Sequence, residues 1–228
     1  MSDYVIPQPA QPSLPVKGTN ARFPVRRIYC IGRNYADHAV EMGHDPDKEP
    51  PFFFQKNGDN VISSGEFPYP PQTNDVHYEV EMVVALKSGG ANISEADAMQ
   101  HVFGYGIGLD MTRRDLQGEM KNMGRPWEIG KAFERSAPMG PLVPASETGH
   151  LESGAISLTV NGEDRQKGDL NQMIWKVPEQ IAYLSRFYDI APGDLIMSGT
   201  PAGVGPIKKG DVMECRIEGL DPLNVTVV

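Results

Sequence analysis

Apolar and polar side chains alternate with a period of two along residues 75–84. Tyr78, Val80, Met82 and Val84 fall on one face of an extended chain, and His77, Glu79, Glu81 and Val83 on the other. The pattern predicts a strand with one apolar face and two carboxylates on its opposite face. Shorter alternating or apolar runs predict strands at 25–31, 52–56, 61–62, 104–109, 195–198, 212–217 and 224–228. Two such runs over 156–166 flank Asn161-Gly162, the favoured pair for a two-residue hairpin turn. Residues 125–133 predict a turn into a further strand.

Helical spacing is confined to four stretches. The first spans 36–42 and is closed by Gly43. The second, 94–103, opens on a Ser94 cap with Glu95 and Asp97 in its first turn. The third covers 111–120. The fourth begins at Pro178 and runs to about 189, with Ile181, Leu184 and Tyr188 at helical spacing. Residues 1–24 contain Pro7, Pro9, Pro12, Pro15 and Pro24, which block helix and predict an extended arm ahead of one domain over 25–228. The fold class expected is a mixed, β-rich α+β.

Composition narrows the function. A net charge of -9 argues against nucleic acid, because phosphate-backbone binding needs a basic footprint. No apolar run approaches the roughly 18 residues of a membrane span, and the first residues lack a basic segment followed by an apolar one. A cytoplasmic protein without membrane or nucleic-acid partners is expected. Cys30 and Cys215 each lie in an apolar strand pattern and predict buried free thiols.

Glu79 and Glu81 would stand about 6.5–7 Å apart at Cα, close enough to converge on one cation. Oxygen-only ligation selects magnesium, manganese or calcium. The third ligand this needs is Asp110, which ends the glycine-rich run 104–109; alternatively Asp110 caps the helix after it. His77 shares the face of the two glutamates, and an imidazole there would soften the site toward zinc or iron. His38 and Glu41 lie three apart and share a helix face, so the carboxylate can orient the imidazole as a general base; a plain surface pair has the same spacing. The polar, proline-broken segment after them, 44–51, predicts a mobile loop that closes as a lid. Nucleotide loops are excluded twice. The third glycine of G-x-G-x-x-G would fall at Leu109, and 199–205 lacks the Lys-Ser/Thr ending of a phosphate loop.

Gly32-Arg33-Asn34-Tyr35 with His38 and Glu41, Glu79-Val80-Glu81, Leu109-Asp110-Met111-Thr112, Arg114-Asp115-Leu116-Gln117, Lys131 and the run Gly199 to Gly205 together resemble the fumarylacetoacetate hydrolase superfamily. The resemblance implies a β-sandwich or β-roll with peripheral helices, assembled as a homodimer. It implies magnesium or manganese on Glu79, Glu81 and Asp110, with calcium as a substitute. His38 and Glu41 match a water-activating dyad, Lys131 and Gln117 match groups that polarise the substrate or an oxyanion, and Thr200 matches a position near a pyruvyl group. Arg33, Arg113, Arg114 and Arg125 are the candidate cations for a distal carboxylate, with Arg33 and Arg114 taken as substrate-binding. The segments 49–56 and 124–128 are similar to those of fumarylpyruvate hydrolases of aromatic-acid (gentisate) catabolism. That similarity implies metal-dependent cleavage of a 2,4-dioxo acid to pyruvate and a second acid. Acylpyruvases, oxaloacetate decarboxylases and hydroxymuconate-type isomerases share much of the pattern and stay open, as does a metal-stabilised binding domain without turnover.

Overall fold

A computed structural model gives the architecture and describes residues 4–41 and 51–228. The chain opens with a hairpin of β1 (Ser13–Pro15) and β2 (Arg22–Pro24), then β3 (Arg27–Gly32) and helix α1 (Ala36–Glu41). Strands β4 (Phe52–Asn57), β5 (Val61–Ile62), β6 (Glu66–Phe67), β7 (Val76–Tyr78) and β8 (Val80–Leu86) lead to a short helix α2 (Glu95–Ala98). Next come β9 (Val102–Leu109), β10 (Thr112–Arg113) and helices α3 (Arg114–Asn122) and α4 (Glu128–Lys131). After β11 (Ala137–Pro138), β12 (Val143–Pro144) and α5 (Ala145–Thr148), the hairpin β13 (Ala155–Val160) and β14 (Glu163–Asp169) precedes α6 (Val177–Leu184). The chain ends with β15 (Leu195–Met197), β16 (Gly205–Ile207), β17 (Val212–Ile217) and β18 (Leu223–Val227).

A six-stranded mixed sheet, in the order β12-β9-β8-β15-β3-β4, is the backbone of this α+β fold. A five-stranded sheet, β14-β13-β17-β18-β6, covers one of its faces. Val80, Met82 and Val84 of β8 meet Leu158, Met213, Cys215 and Val225 there in one buried cluster. On the opposite face Val83, Ala85, Cys30 and Met197 form a second cluster, closed by Leu14 and Phe23 of the β1–β2 hairpin. The alternation expected along 75–84 therefore holds, with apolar material on both faces of β8 instead of one. Both cysteines are buried free thiols, as their strand patterns predicted. The Asn161-Gly162 turn forms with φ of 53° and 80°, the left-handed pair that a two-residue hairpin requires.

Five sequence expectations shift. The strand over 75–84 is two strands in different sheets. β7 pairs with β10 and β16, β8 pairs with β9 and β15, and Glu79 stands at the break. The helix over 94–103 keeps its Ser94 cap but yields at Val102, which pairs with Leu86 as β9 begins. The helix over 111–120 starts only at Arg114, because Thr112 and Arg113 pair with His77 and Val76. Its N-cap is Arg113, so Asp110 is not a cap. The strand expected within 125–133 is helix α4, packed so tightly on α3 that a Cβ on Gly130 would lie 2.8 Å from the Gln117 backbone nitrogen. The α6 helix ends at Leu184, short of 189. Among the described residues no helix is long and apolar enough to cross a membrane. The expected helix end at 42–43 and most of the lid segment, 44–50, lie outside the described residues.

Candidate active site

Glu79, Glu81 and Asp110 converge as expected. Each offers a carboxylate oxygen, these lie within 4.8 Å of one another, and all three residues are buried. The break between β7 and β8 aims Glu79 and Glu81 at one point, and the Asp110 N–H donates to the Glu79 carbonyl at 2.9 Å, tying the end of β9 to the break. Glycines make the approach possible: a Cβ on Gly108 would stand 2.7 Å from Val83 Cγ2. His77 is not part of the cluster. Its Nε2 pairs with Asp75 at 2.9 Å and its Nδ1 faces the Arg114 Nε.

Three cations surround the carboxylates. Lys131 Nζ donates to Glu79 Oε2 and to Asp110 Oδ2, each at 2.8 Å. Arg114 pairs with Glu79 Oε1 and donates to Gln117 Oε1 at 2.6 Å. Lys56 Nζ lies 2.9 Å from Asp110 Oδ1 and donates to the carbonyls of Met111 and Lys131. Burial alone would raise the Glu79 carboxyl, yet the Lys131 and Arg114 charges outweigh it and hold the group well below the ordinary carboxylate range. Glu81 goes the other way. Burial, then the neighbouring Asp110 and Glu79 carboxylates, push its pKa well above the usual value. Burial opposes the Lys131 ammonium, but Asp110 and Glu79 prevail and raise it. Three hard oxygen donors, one of which binds a proton tightly when no cation is beside it, fit a divalent metal.

The dyad forms at the same cleft. His38 is buried, with Nδ1 3.1 Å from Glu41 Oε2. Both Glu41 oxygens face the Gly203 N–H at 3.3 Å. The loop after β15 thus reaches three site groups: Gly199 N–H donates to Glu81 Oε2 at 2.8 Å, Thr200 hydroxyl donates to the Val80 carbonyl at 2.8 Å, and Gly203 meets the dyad. Asn34 holds this loop, donating to the Ser198 carbonyl at 2.7 Å, with Gly199 packed against it at a φ of 103°.

His38, Glu79, Glu81, Asp110, Arg114, Gln117, Lys131, Thr200 and Arg33 all line one cleft, together with Phe52, Phe54, Lys121 and Trp127. Arg113 and Arg125 do not line it, and Arg113 instead stacks on Phe133 at 4.4 Å. Sequence reasoning missed Lys56 and Gln166. Lys56 had a signal, since alternation puts it on the face of Phe52 and Phe54. Gln166 had none. From a strand whose neighbours Arg165 and Lys167 are exposed, it accepts from Val80 N–H at 3.0 Å and donates to Thr200 Oγ1 at 2.8 Å.

The family model described as fumarylacetoacetate (FAA) hydrolase C-terminal matches residues 27–228. A fumarylpyruvate hydrolase of Ralstonia sp is 43% identical over 189 residues, covering 82% of this chain and 98% of that protein. The oxaloacetate tautomerase YcgM of Escherichia coli (strain K12) is 38% identical over 204 residues, covering 89% and 93%. Among solved structures, a fumarylpyruvate hydrolase from Pseudomonas aeruginosa, in complex with Mn2+ and pyruvate, superposes with a TM-score of 0.97 at 55% identity, covering 99% of each chain.

Proposed function

The chain belongs to the fumarylacetoacetate hydrolase family, and we propose that it is a divalent-metal-dependent hydrolase of the carbon–carbon bond in an acylpyruvate, converting fumarylpyruvate to fumarate and pyruvate. The observation that carries this reading is one cleft holding both a buried three-carboxylate cluster and an imidazole–carboxylate dyad. A purely structural metal site has no use for the dyad. The 55% identity to a fumarylpyruvate hydrolase complexed with Mn2+ and pyruvate supports the substrate.

Glu79, Glu81 and Asp110 would hold the cation, which when bound supplies Lewis-acid polarisation of the 2-oxo acid end. His38, oriented by Glu41, takes a proton from water as the oxygen adds to the C4 carbonyl. Gly203 fixes Glu41 and so fixes the ring. Lys131 and Gln117 face the cleft where the C4 oxyanion develops, each such donor being worth about 3–4 kcal/mol in sites of this kind. Collapse breaks the C3–C4 bond, its electron pair passing to C3 as the enolate of pyruvate. Protonation at C3 then completes pyruvate. Thr200 hydroxyl is spent on Val80 and Gln166, so its part is to shape the loop.

A second reading, tautomerisation or decarboxylation of oxaloacetate, is supported by the 38% identity to the Escherichia coli tautomerase. It uses the same cluster without a hydrolytic water. Pyruvate release from fumarylpyruvate, acetylpyruvate and oxaloacetate, together with the enol–keto interconversion of oxaloacetate followed by its ultraviolet absorbance, each with manganese and after chelation, separates the two. Metal-dependent cleavage favouring fumarylpyruvate, abolished in His38→Ala, is the expected result. Turnover of oxaloacetate alone, surviving that substitution, overturns the hydrolase reading.

A further inference from the structure

His77 and Asp75 take no part in the carboxylate cluster, yet both are tied to the helix that carries Arg114 and Gln117. Thr112 of β10 pairs with His77, the Arg114 N–H donates to the Asp75 carbonyl at 2.7 Å, and the Thr73 hydroxyl donates to Asp115 at 2.6 Å. The start of α3 is thus held against residues 73–77. Arg114 spends its fork on three acceptors. Its Nε donates to His77 Nδ1 at 3.4 Å, its Nη1 to Gln117 Oε1 at 2.6 Å, and its Nη2 to Glu79 Oε1. A guanidinium has five N–H donors and no acceptor, so each atom facing it must offer a lone pair. Two assignments follow. His77 Nδ1 carries no proton, which puts the ring proton on Nε2, where it is donated to Asp75 Oδ1 at 2.9 Å. Gln117 turns its oxygen to Arg114, which leaves its amide N–H groups as donors to the cleft it lines with Lys131.

We propose that His77, held in one tautomer by Asp75, is a positioning residue for the reaction: its Nδ1 lone pair fixes the roll of the Arg114 guanidinium, which in turn keeps Gln117 with its N–H groups, and not its oxygen, toward the substrate. The inference deepens the hydrolase reading and rests on it, since hydrolysis needs a donor where charge develops on the C4 oxygen. Arg114 never reaches the oxyanion in this arrangement. Its planar fork is a template that reads the position of His77 and passes it to Gln117. Without the Nδ1 acceptor the guanidinium keeps two partners and can turn, and the amide is free to present an oxygen that repels the oxyanion.

Two substitutions at His77 separate positioning from packing. Asparagine sets its side-chain oxygen where Nδ1 stands, whereas glutamine, nearer to histidine in length, sets its polar atoms where Nε2 stands. His77→Asn should keep kcat for fumarylpyruvate within about threefold of wild type, and His77→Gln should lose about tenfold or more with a smaller change in KM, because the oxyanion exists only in the transition state. In a Gln117→Leu background His77→Gln should cost nothing further. A packing role predicts the reverse order of the two variants. A His77→Gln enzyme as active as wild type, a His77→Asn enzyme no better than His77→Gln, or an undiminished further loss in the Gln117→Leu background overturns the proposal. Crystal structures of the manganese-loaded variants read the same positioning without turnover: Arg114 should stay on Gln117 Oε1 in His77→Asn and leave it in His77→Gln. A wild type that releases no pyruvate from fumarylpyruvate counts against the hydrolase reading alone. Those structures then decide the positioning, and an Arg114 unmoved in both variants overturns it.

Discussion

Lys56 is a buried ammonium that touches three things at once: the Asp110 carboxylate, the Met111 carbonyl and the Lys131 carbonyl. It therefore positions one carboxylate of the cluster and the end of the helix that carries Lys131. Replacing it with methionine keeps the stem and removes the charge, leaving a buried carboxylate short of a partner, which costs about 3–5 kcal/mol in comparable pairs. A divalent ion held by the same carboxylate would offset part of that cost. Lys56→Met should lower the urea midpoint markedly in chelator and less in manganese. An equal loss in both would mean that Asp110 does not share a metal. At this scale the sequence was informative about charge and poor about partners. Glu79, Glu81 and Asp110 stood out because carboxylates interrupt apolar runs. Lys56 does too, but its significance depends on Asp110 and Lys131, which lie 54 and 75 residues further on. Gln166 is an ordinary polar residue in an ordinary hairpin until the fold brings Thr200 against it.

The loop joining β15 to β16 is the element that couples the site's parts. Its Gly199 N–H holds Glu81, and its Gly203 N–H faces Glu41. Gly203 has a φ of 95°, and a Cβ there would stand 2.1 Å from the Arg165 carbonyl oxygen. Gly203→Ala must move the backbone, at a cost above about 1 kcal/mol, and carry its N–H away from Glu41. Turnover should fall about tenfold or more as the His38 dyad loosens, while manganese affinity changes little, because none of the three carboxylates touches Gly203. Equal losses in both would show the loop acting on the cluster as a whole. Elements with local determinants were legible: the Asn161-Gly162 hairpin, the Ser94 cap and the glycine-thinned strand that ends at Asp110. The break at Glu79 and the conversion of 128–131 from strand to helix were not. Each is set by distant pairing, β7 choosing β10 and β16 while β8 chooses β9 and β15, and α4 closing onto α3 through Gly130. A period-two pattern continues unchanged through a change of sheet.

At the scale of the whole molecule the site joins pieces that no single sheet holds together. Glu79 stands at the break after the middle strand of a three-stranded sheet, Glu81 in the six-stranded one, Asp110 just past the end of β9 and Lys131 in α4. A cation held between them stabilises the native arrangement and not the unfolded chain. At a hundredfold excess over its dissociation constant that amounts to about 2.7 kcal/mol, or about 5–10 °C in melting temperature for a domain of this size. The sign of the pH dependence follows from Glu81. Burial beside Asp110 and Glu79 raises its folded pKa above the unfolded value of about 4.3, so the protonated carboxyl favours the metal-free fold. That contribution is present at low pH and disappears as pH rises through the raised folded value. Metal needs the same carboxylate deprotonated, so its stabilisation grows over the range in which the proton's is lost. Scanning calorimetry across that range should show the gap between manganese and chelator widening with pH, with the chelated melting temperature falling less steeply in Glu81→Gln. A gap that is absent, or constant with pH, would remove the metal from Glu81.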